Sequence, residues 1–515
     1  MVRFLFLDLL APAALGGLAT LGFAPFNYYP LTIIAVAGLL GLWWQASAGR
    51  SAWRGFVYGG AHFATGVYWV YVSTHVYGGA PVWAGVVAAV LLSVYLALYP
   101  ALVGCFAGLT RGWPRLLWAL LWVPAAWVLA ELVRSWAIGG FPWLSLGYAM
   151  TDAPVTPLAP IGGVYFISFW VMVAAASLVL LFAGSLLSRL VAVVLIGLAP
   201  VALWALPAEA SWTHPAGKPL SVAIIQGNVS QDQKWQPDQF SAILQRYQSM
   251  TRHSHAELVV WPEVAIPATA DQVSIFLSYM NAIAAERDQT ILAGVLDVNP
   301  AHDGVYNSIQ ALGVGSGQYD KRHLVPFGEY FPVPDLIKRL FVALGIPVSK
   351  IDFGAAQQPL IHSHGVAIGS SICFEDAFGY EIAKSLPQAG VLVNVTNDAW
   401  FAGTTAANLH LQIARMRALE AGRPMIRAAN TGISAFIGYT GRIRSQTTQF
   451  KTTRLRAQVV PRAGLTPYMR HGDYALWWGS AGLTLLGLLG VLINRLRARR
   501  GRQVESRRRE LMRRV

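Results

Sequence analysis

The sequence predicts a polytopic α-helical membrane protein with an inserted α/β domain, and three observations carry that prediction. Hydrophobic residues make up 55% of the chain and charged residues 12%, with mean hydropathy +0.46, too apolar for an ordinary soluble protein of this length. The apolar content is uneven: residues 1–206 and 473–494 are nearly continuous hydrocarbon, whereas 207–472 read as a water-soluble domain. Within that domain, short β-rich runs alternate with stretches of helical spacing. The expected division is therefore a membrane domain at 1–206, an inserted domain at 207–472, a last membrane helix at 473–496 and a basic tail at 497–515.

Crossing a bilayer takes about 20 apolar residues. Runs of that length fall near 5–24, 30–47, 55–73, 82–104, 115–134, 164–184 and 189–206, with an eighth, "ALWWGSAGLTLLGLLGVLINRL", at 475–496. The first run has no small-residue cleavage site and other spans follow it closely, so it is read as an anchor. Basic residues occur at Arg3, in the second connection (Arg50, Arg54), the fourth (Arg111, Arg115), the sixth (Arg189) and the C-terminal end, where 495–515 have ten Arg against two Glu. Positive charge marks the cytoplasmic side, so both termini are expected there and 207–472 outside, in the periplasm of a bacterium with two membranes. The tail reads as a topology anchor against anionic lipid and not as a nucleic-acid site.

In the inserted domain the expected strands are 221–228, 256–263, 290–298, 308–314, 365–373, 390–398 and 433–439, and the expected helices 237–253, 271–287 and 406–422. Strands apolar on both faces imply a sheet covered on both sides. Three of these runs lead into polar chemistry, where open α/β folds place their sites: Glu263 in "VVWPE", Lys321 in "YDKRHLVPFGEY" and Cys373 in "SSICFE". A carboxylate base, an ammonium for an oxyanion and a thiol nucleophile form a complete set for acyl transfer. Cys373 just before a helix would gain a helix N-terminus that favours its thiolate. Taken singly, each has a structural reading as well: a small core residue, a turn residue and a solvated lysine. Cys105 lies within the fourth span and cannot reach Cys373, so no intrachain disulfide is available to the domain.

In this order, "VVWPE", "YDKRHLVPFGEY", "SICFE", "VNVTNDAWF" and "RMRALEAGRPMIRAANTGIS" resemble the nitrilase superfamily of carbon–nitrogen hydrolases. The spans on either side, with "GFPWLSLGY" and "LVPFGEYFP", resemble its membrane-bound apolipoprotein N-acyltransferase branch over nearly the whole chain. The resemblance implies an α-β-β-α sandwich between the seventh and eighth transmembrane helices. It further implies Glu263 as general base, Lys321 as oxyanion stabiliser, Cys373 as nucleophile, Glu329 and Glu375 as supporting carboxylates, and Trp235 on a mobile loop near the site. Phe374 stands where the family commonly has Tyr. The implied reaction moves an acyl chain from a membrane phospholipid onto the cysteine as a thioester, and then to the α-amino group of the S-diacylglyceryl cysteine of an apolipoprotein. No cofactor and no metal is implied, and a monomer is expected.

Two loops are too apolar to stand free in water. One, 140–150, offers Phe141 and Tyr148 to a lipid; the other, 325–349, places Leu336, Leu340, Phe341 and Leu344 on one face of a helix lying on the membrane. Simple packing of the inserted domain onto the spans is the alternative for the first. Arg134 near the outer end of the fifth span needs a partner, either a phospholipid phosphate or Glu131 one turn earlier. Two other classes of function fit parts of this pattern: a membrane-tethered amidase using the same three residues, and a transporter whose soluble domain only binds ligand. The few intramembrane charges, chiefly Asp8 and Glu131, argue against the transporter.

Overall fold

Backbone groups surrounded by hydrocarbon must find partners within their own segment, and the first two hundred residues accordingly fold as helices. The computed structural model describes residues 5–206, 212–301, 304–332, 334 and 351–514. Among them, five helices are long and apolar enough to cross a bilayer: Val82–Leu109, Arg115–Arg134, Thr156–Ala183, Leu186–Ala205 and Tyr474–Arg507. Leu5–Thr20 and Tyr29–Trp43 are shorter apolar helices. The third expected span falls on Ala48–Gly66, a less apolar helix that starts earlier in the chain than expected. It carries buried Arg54, whose Nε donates to Asp8 Oδ1 at 2.7 Å. Asp8 is therefore half of a buried ion pair. Pro200 lies inside the helix Leu186–Ala205 without ending it. The final helix runs unbroken from Tyr474 to Arg514, so the basic tail continues the eighth apolar run as helix.

Ala48–Gly66 and Val82–Leu109 approach so closely that side chains are excluded at the crossing. A Cβ on Gly55 would stand 2.3 Å from the Pro100 carbonyl oxygen, and one on Gly104 would stand 2.3 Å from that of Ser51. Small residues of this kind let apolar helices pack backbone to backbone.

The inserted domain is built on two six-stranded sheets. In the first, Thr453–Val459, Leu220–Gln226, Leu258–Val260, Thr290–Val298, Val305–Gly313 and Gln318–Asp320 lie side by side in that order. In the second the order is Ile443–Gln446, Ala435–Ile437, Met425–Ala429, Val391–Thr396, Val366–Ile372 and Ile361–Ser363. The strands between the edges pair in parallel at the centre of each sheet. Period-two alternation divides their side chains between two cores. Val222, Ile224, Leu258 and Val260 meet Ile368, Val391, Val393 and Ile426 between the sheets. Ile225, Val259 and Ile291 turn outward onto the helices Pro237–Arg252 and Ser274–Glu286. On the outer face of the second sheet, Leu411, Ala414 and Ala418 of the helix Ala406–Ala421 cover Leu392 and Met425. The result is an α-β-β-α sandwich. All seven expected strands and three expected helices are present, with ends shifted by up to a few residues; the edge strands and the interior strand Met425–Ala429 were not expected.

The helix Ala406–Ala421 has no polar face. Its opposite side, Leu409, Ile413 and Met416, belongs to the core of the N-terminal helices. Nearby, Glu420 Oε1 accepts the Val164 N–H at 2.7 Å, beside Gly163, whose φ of 74° interrupts the helix Ala159–Ala183. One helix thus belongs to both halves of the molecule.

Gly55→Val should overpack the helix crossing and cost at least about 1–3 kcal/mol, lowering the yield and melting temperature of the detergent-solubilised protein. Gly60→Ala, where a Cβ meets nothing within 4 Å, should leave both unchanged.

Candidate active site

Glu263, Lys321 and Cys373 each follow the end of a strand, Leu258–Val260, Gln318–Asp320 and Val366–Ile372, and the fold brings them together. Lys321, 1% exposed, donates through Nζ to Glu329 Oε1 at 2.7 Å and to Glu263 Oε1 at 3.4 Å. Burial pulls the lysine's pKa down, but the two carboxylates and the adjacent Cys373 together hold it above its ordinary value. Lys321 is therefore a permanent cation.

Glu263 is held by groups from both sheets. Its Oε1 also accepts from Asn307 Nδ2 at 2.7 Å, and its Oε2 accepts the Asn397 N–H at 2.8 Å. Glu329 Oε2 accepts the Val325 N–H at 2.8 Å, which folds the loop after Lys321 back over the ammonium.

Cys373 occupies a left-handed backbone conformation, with φ 51°. It opens a five-residue 3-10 turn, Cys373–Ala377. Burial and Glu263 push its thiol well above the ordinary range, while Lys321 opposes them. This differs from the expected thiolate-favouring helix end: the turn is too short to carry an appreciable dipole, and desolvation dominates. The resting sulfur is a neutral thiol.

Glu375 faces away from this chemistry and into the chain. Its Oε1 accepts the N–H groups of Arg322 and His323 at 2.6 and 3.0 Å, and its Oε2 accepts the Ile372 N–H at 2.7 Å and the Tyr319 hydroxyl at 2.9 Å. Burial lifts its pKa to about 7 against those donors. One side chain thereby ties the lysine's strand end to the cysteine's.

The remaining expected residues are dispersed. Trp235 is 53% exposed at the end of the short helix Gln231–Lys234. Phe141 is half-buried and stacks against Trp69 and Trp143. Tyr148 is fully buried; its hydroxyl donates to the Ala377 carbonyl at 3.3 Å and accepts from Arg417 at 3.1 Å. Its observed place is the junction between the helices and the cysteine's turn. Arg134 turns into its own loop. It is 2% exposed and spends its guanidinium on the carbonyls of Phe141 and Trp143, at 2.7 and 2.6 Å, and on Ser145 Oγ at 2.8 Å. Glu131 Oε1 instead accepts from Trp127 and from the Leu146 N–H. Leu336, Leu340, Phe341 and Leu344 lie outside the described residues.

A family model for the apolipoprotein N-acyltransferase N-terminal domain matches residues 15–177, and one for carbon–nitrogen hydrolases matches 221–468. The chain is 40% identical to the apolipoprotein N-acyltransferase of Methylococcus capsulatus, over 95% of this chain and 97% of that one. It is likewise 40% identical to that of Pseudomonas aeruginosa, over 98% and 97%. The chain belongs to the apolipoprotein N-acyltransferase family. Among solved structures, Saccharomyces cerevisiae Nit3, of the nitrilase superfamily, is similar with 17% identity and TM-score 0.36, over 48% of this chain and 91% of that one.

Several groups at the site were not singled out from the sequence. Asn307 and Asn397 hold Glu263, while Asn394 Nδ2 and His410 Nε2 each lie 3.2 Å from the Cys373 carbonyl oxygen. Lys234, 3% exposed, donates to the Glu263 carbonyl at 3.4 Å; burial lowers its pKa to about 8 with Glu263 opposing. Asn394 and Asn397 lie within "VNVTNDAWF", one of the words that carry the family resemblance, which was the available signal for them; Lys234, Asn307 and His410 lie outside those words. Among the described residues, no group of three or more His, Cys, Asp or Glu side chains could hold a metal ion.

Lys321→Ala removes the cation that donates to both Glu263 and Glu329, and loss of such an oxyanion donor costs about 10²–10³ in rate. Acyl-enzyme formation in that variant, followed by intact-protein mass spectrometry, is expected to slow by this factor. A wild-type rate would remove Lys321 from the oxyanion role.

Proposed function

We propose that this protein transfers an acyl chain from a membrane phospholipid, through a Cys373 thioester, to the α-amino group of the S-diacylglyceryl cysteine of an apolipoprotein. The observation that carries the reading is the convergence of Glu263, Lys321 and Cys373 in a chain whose family is named for this transfer.

In the first step Glu263 takes the thiol proton as the sulfur attacks the ester carbonyl, and Lys321 stabilises the oxyanion. The C–O bond breaks and the proton passes from Glu263 to the departing alkoxide, giving a lysophospholipid and a thioester. In the second step the amine attacks the thioester and loses a proton to Glu263. The C–S bond breaks and that proton returns to the sulfur. Because the resting thiol is neutral, a base beside it is a requirement of the first step.

The setting supports lipid substrates. Phe141, Trp69, Trp143 and Phe401 form an aromatic cluster where the helices meet the sandwich. The proposed topology has eight membrane-spanning helices, with the sandwich on the periplasmic side of the inner membrane and the Arg-rich end in the cytoplasm. The proposed working unit is a monomer.

Purified protein incubated with phospholipid should gain one acyl mass on Cys373 and release lysophospholipid, and a diacylglyceryl lipopeptide should discharge the adduct. Cys373→Ser should fold normally and form no adduct, a hydroxyl being a far weaker nucleophile at neutral pH. Hydrolysis of small amides without lysophospholipid release would instead favour the membrane-tethered amidase. A periplasm-dependent reporter should be active when fused after Leu206 and inactive after Arg500; the reverse pattern would defeat the topology and the lipoprotein substrate with it.

A further inference from the structure

Beside the cysteine's turn lies a closed group of charges that the proposed acyl transfer does not use. His410, on the helix Ala406–Ala421, has Nδ1 3.0 Å from Asp398 Oδ1 and Nε2 3.0 Å from Asp376 Oδ1. The same Nε2 is 3.2 Å from the Cys373 carbonyl oxygen. Arg427, on the strand Met425–Ala429, donates to Asp376 Oδ2 at 3.1 Å, to Asp398 Oδ2 at 3.2 Å and to Asn394 Oδ1 at 2.7 Å. Asn394 Nδ2 donates to the Cys373 carbonyl at 3.2 Å, and Thr396 Oγ1 to Asp398 Oδ1 at 3.2 Å. Asp376, Asp398, His410 and Arg427 are each at most 1% exposed. The Trp143 ring, from the loop after Arg134, lies 5.6 Å from the imidazole.

An ionised carboxylate only accepts, so an imidazole between two of them can donate to both only when both its nitrogens carry protons. That state also brings the four side chains to zero net charge, which so buried a group requires. Burial and Arg427 push the His410 pKa down, but Asp376 and the hydrogen bonds to Asp376 and Asp398 outweigh them, bringing it to about 9.

The carbonyl that His410 reaches belongs to a residue in a costly conformation. A left-handed backbone is unfavourable for a residue with a Cβ, and such strain persists only where the surroundings over-determine it. Two donors on one carbonyl, one of them cationic, supply that constraint.

We propose that His410, as an imidazolium, is a positioning residue for acyl transfer: with Asn394 it pins the Cys373 carbonyl, and its charge keeps the buried group neutral while negative charge develops on the sulfur. The inference rests on Cys373 being the nucleophile. Loss of the imidazolium proton would leave an uncompensated negative charge beside the reacting centre and remove one donor from the turn. Because the folded pKa lies above the ordinary histidine value of about 6.5, the contribution is complete below that value and is lost as pH rises through about 9. Acylation should therefore show an alkaline limb there.

The test is the rate of acyl-Cys373 formation by the purified full-length protein with diacyl phosphatidylethanolamine in detergent micelles, across the neutral to alkaline range. His410→Gln should slow acylation by about 10²-fold, the scale of a small misplacement of a reacting group, with KM for the phospholipid little changed and the alkaline limb gone. Asp398→Asn removes one carboxylate from the imidazole and should move the limb down by about one pH unit or more. A structural role alone would lower the rate at every pH and leave the limb in place. A wild-type rate in His410→Gln, or an unmoved limb in Asp398→Asn, overturns the proposal. Should His410→Gln not fold, the Asp398→Asn profile and the imidazole NMR titration of the wild-type protein decide, a neutral ring at neutral pH being the overturning result. Absence of an adduct on the wild-type protein would defeat the nucleophile assignment itself, whereas normal wild-type labelling with an unaffected His410→Gln defeats this proposal alone.

Discussion

The burial of the Lys321 ammonium is the constraint on which the rest of the site depends. Desolvating an ammonium costs several kcal/mol unless partners surround it, and at 1% exposure Lys321 has two carboxylates to meet that demand. Two carboxylates over-compensate one cation, so each needs further donors. Glu329 takes the Val325 N–H; Glu263 takes Asn307 from the strand two places along in its own sheet and the Asn397 N–H from the facing sheet. The demand of one buried charge thus spreads until it fixes the ends of strands in both sheets. Glu375 completes the frame by holding the backbone just after the lysine and just before the cysteine.

A consequence falls on the sulfur. Burial opposes ionisation of the thiol, the carboxylate of Glu263 adds to it, and together they outweigh Lys321 at Cys373. A neutral thiol is poorly nucleophilic and poorly oxidised, since both reactions run through the thiolate. In an oxidising compartment that is protective. It also confines the proposed chemistry to the moment when an ester carbonyl is present to accept the electron pair as Glu263 takes the proton.

The membrane character, the layered α/β fold and the three strand-end residues were legible in the sequence because each leaves a local mark: long apolar runs, period-two and helical spacing, and a polar residue where an apolar strand ends. Edge strands such as Ile361–Ser363 and Ile443–Gln446 were not, being too short and too polar to stand out from loops. The sequence leaves Arg134 as a cation in need of a phosphate or Glu131 because it does not show that the chain turns back after it; in the fold, Phe141, Trp143 and Ser145 come within reach and accept from its guanidinium. His410 was passed over for a related reason. It lies on a helix whose polar residues are spread around the axis and mark no site by their spacing, and its partners Asp376, Asp398 and Arg427 are brought to it by three different elements.

That helix, Ala406–Ala421, joins the chemistry to the bilayer. Its residues pack on the second sheet on one side and on the N-terminal helices on the other, so the sandwich cannot tilt away from the membrane without exposing apolar surface on both. Trp143 and Tyr148, from the loop that Arg134 organises, reach His410 and the Ala377 carbonyl respectively. The turn bearing Cys373 is thereby braced from the membrane side as well as from within its own domain. A free-standing nitrilase-like sandwich would meet its substrates from water, and water would be the natural acceptor for its thioester. Here the apolar aromatic cluster stands where the helices meet the sandwich, which favours an ester arriving from lipid and an amine carried on a lipid anchor. On this reading the selection of an amine over water is made by the surface to which the sandwich is fixed, and the three central residues are free to remain those of a hydrolase.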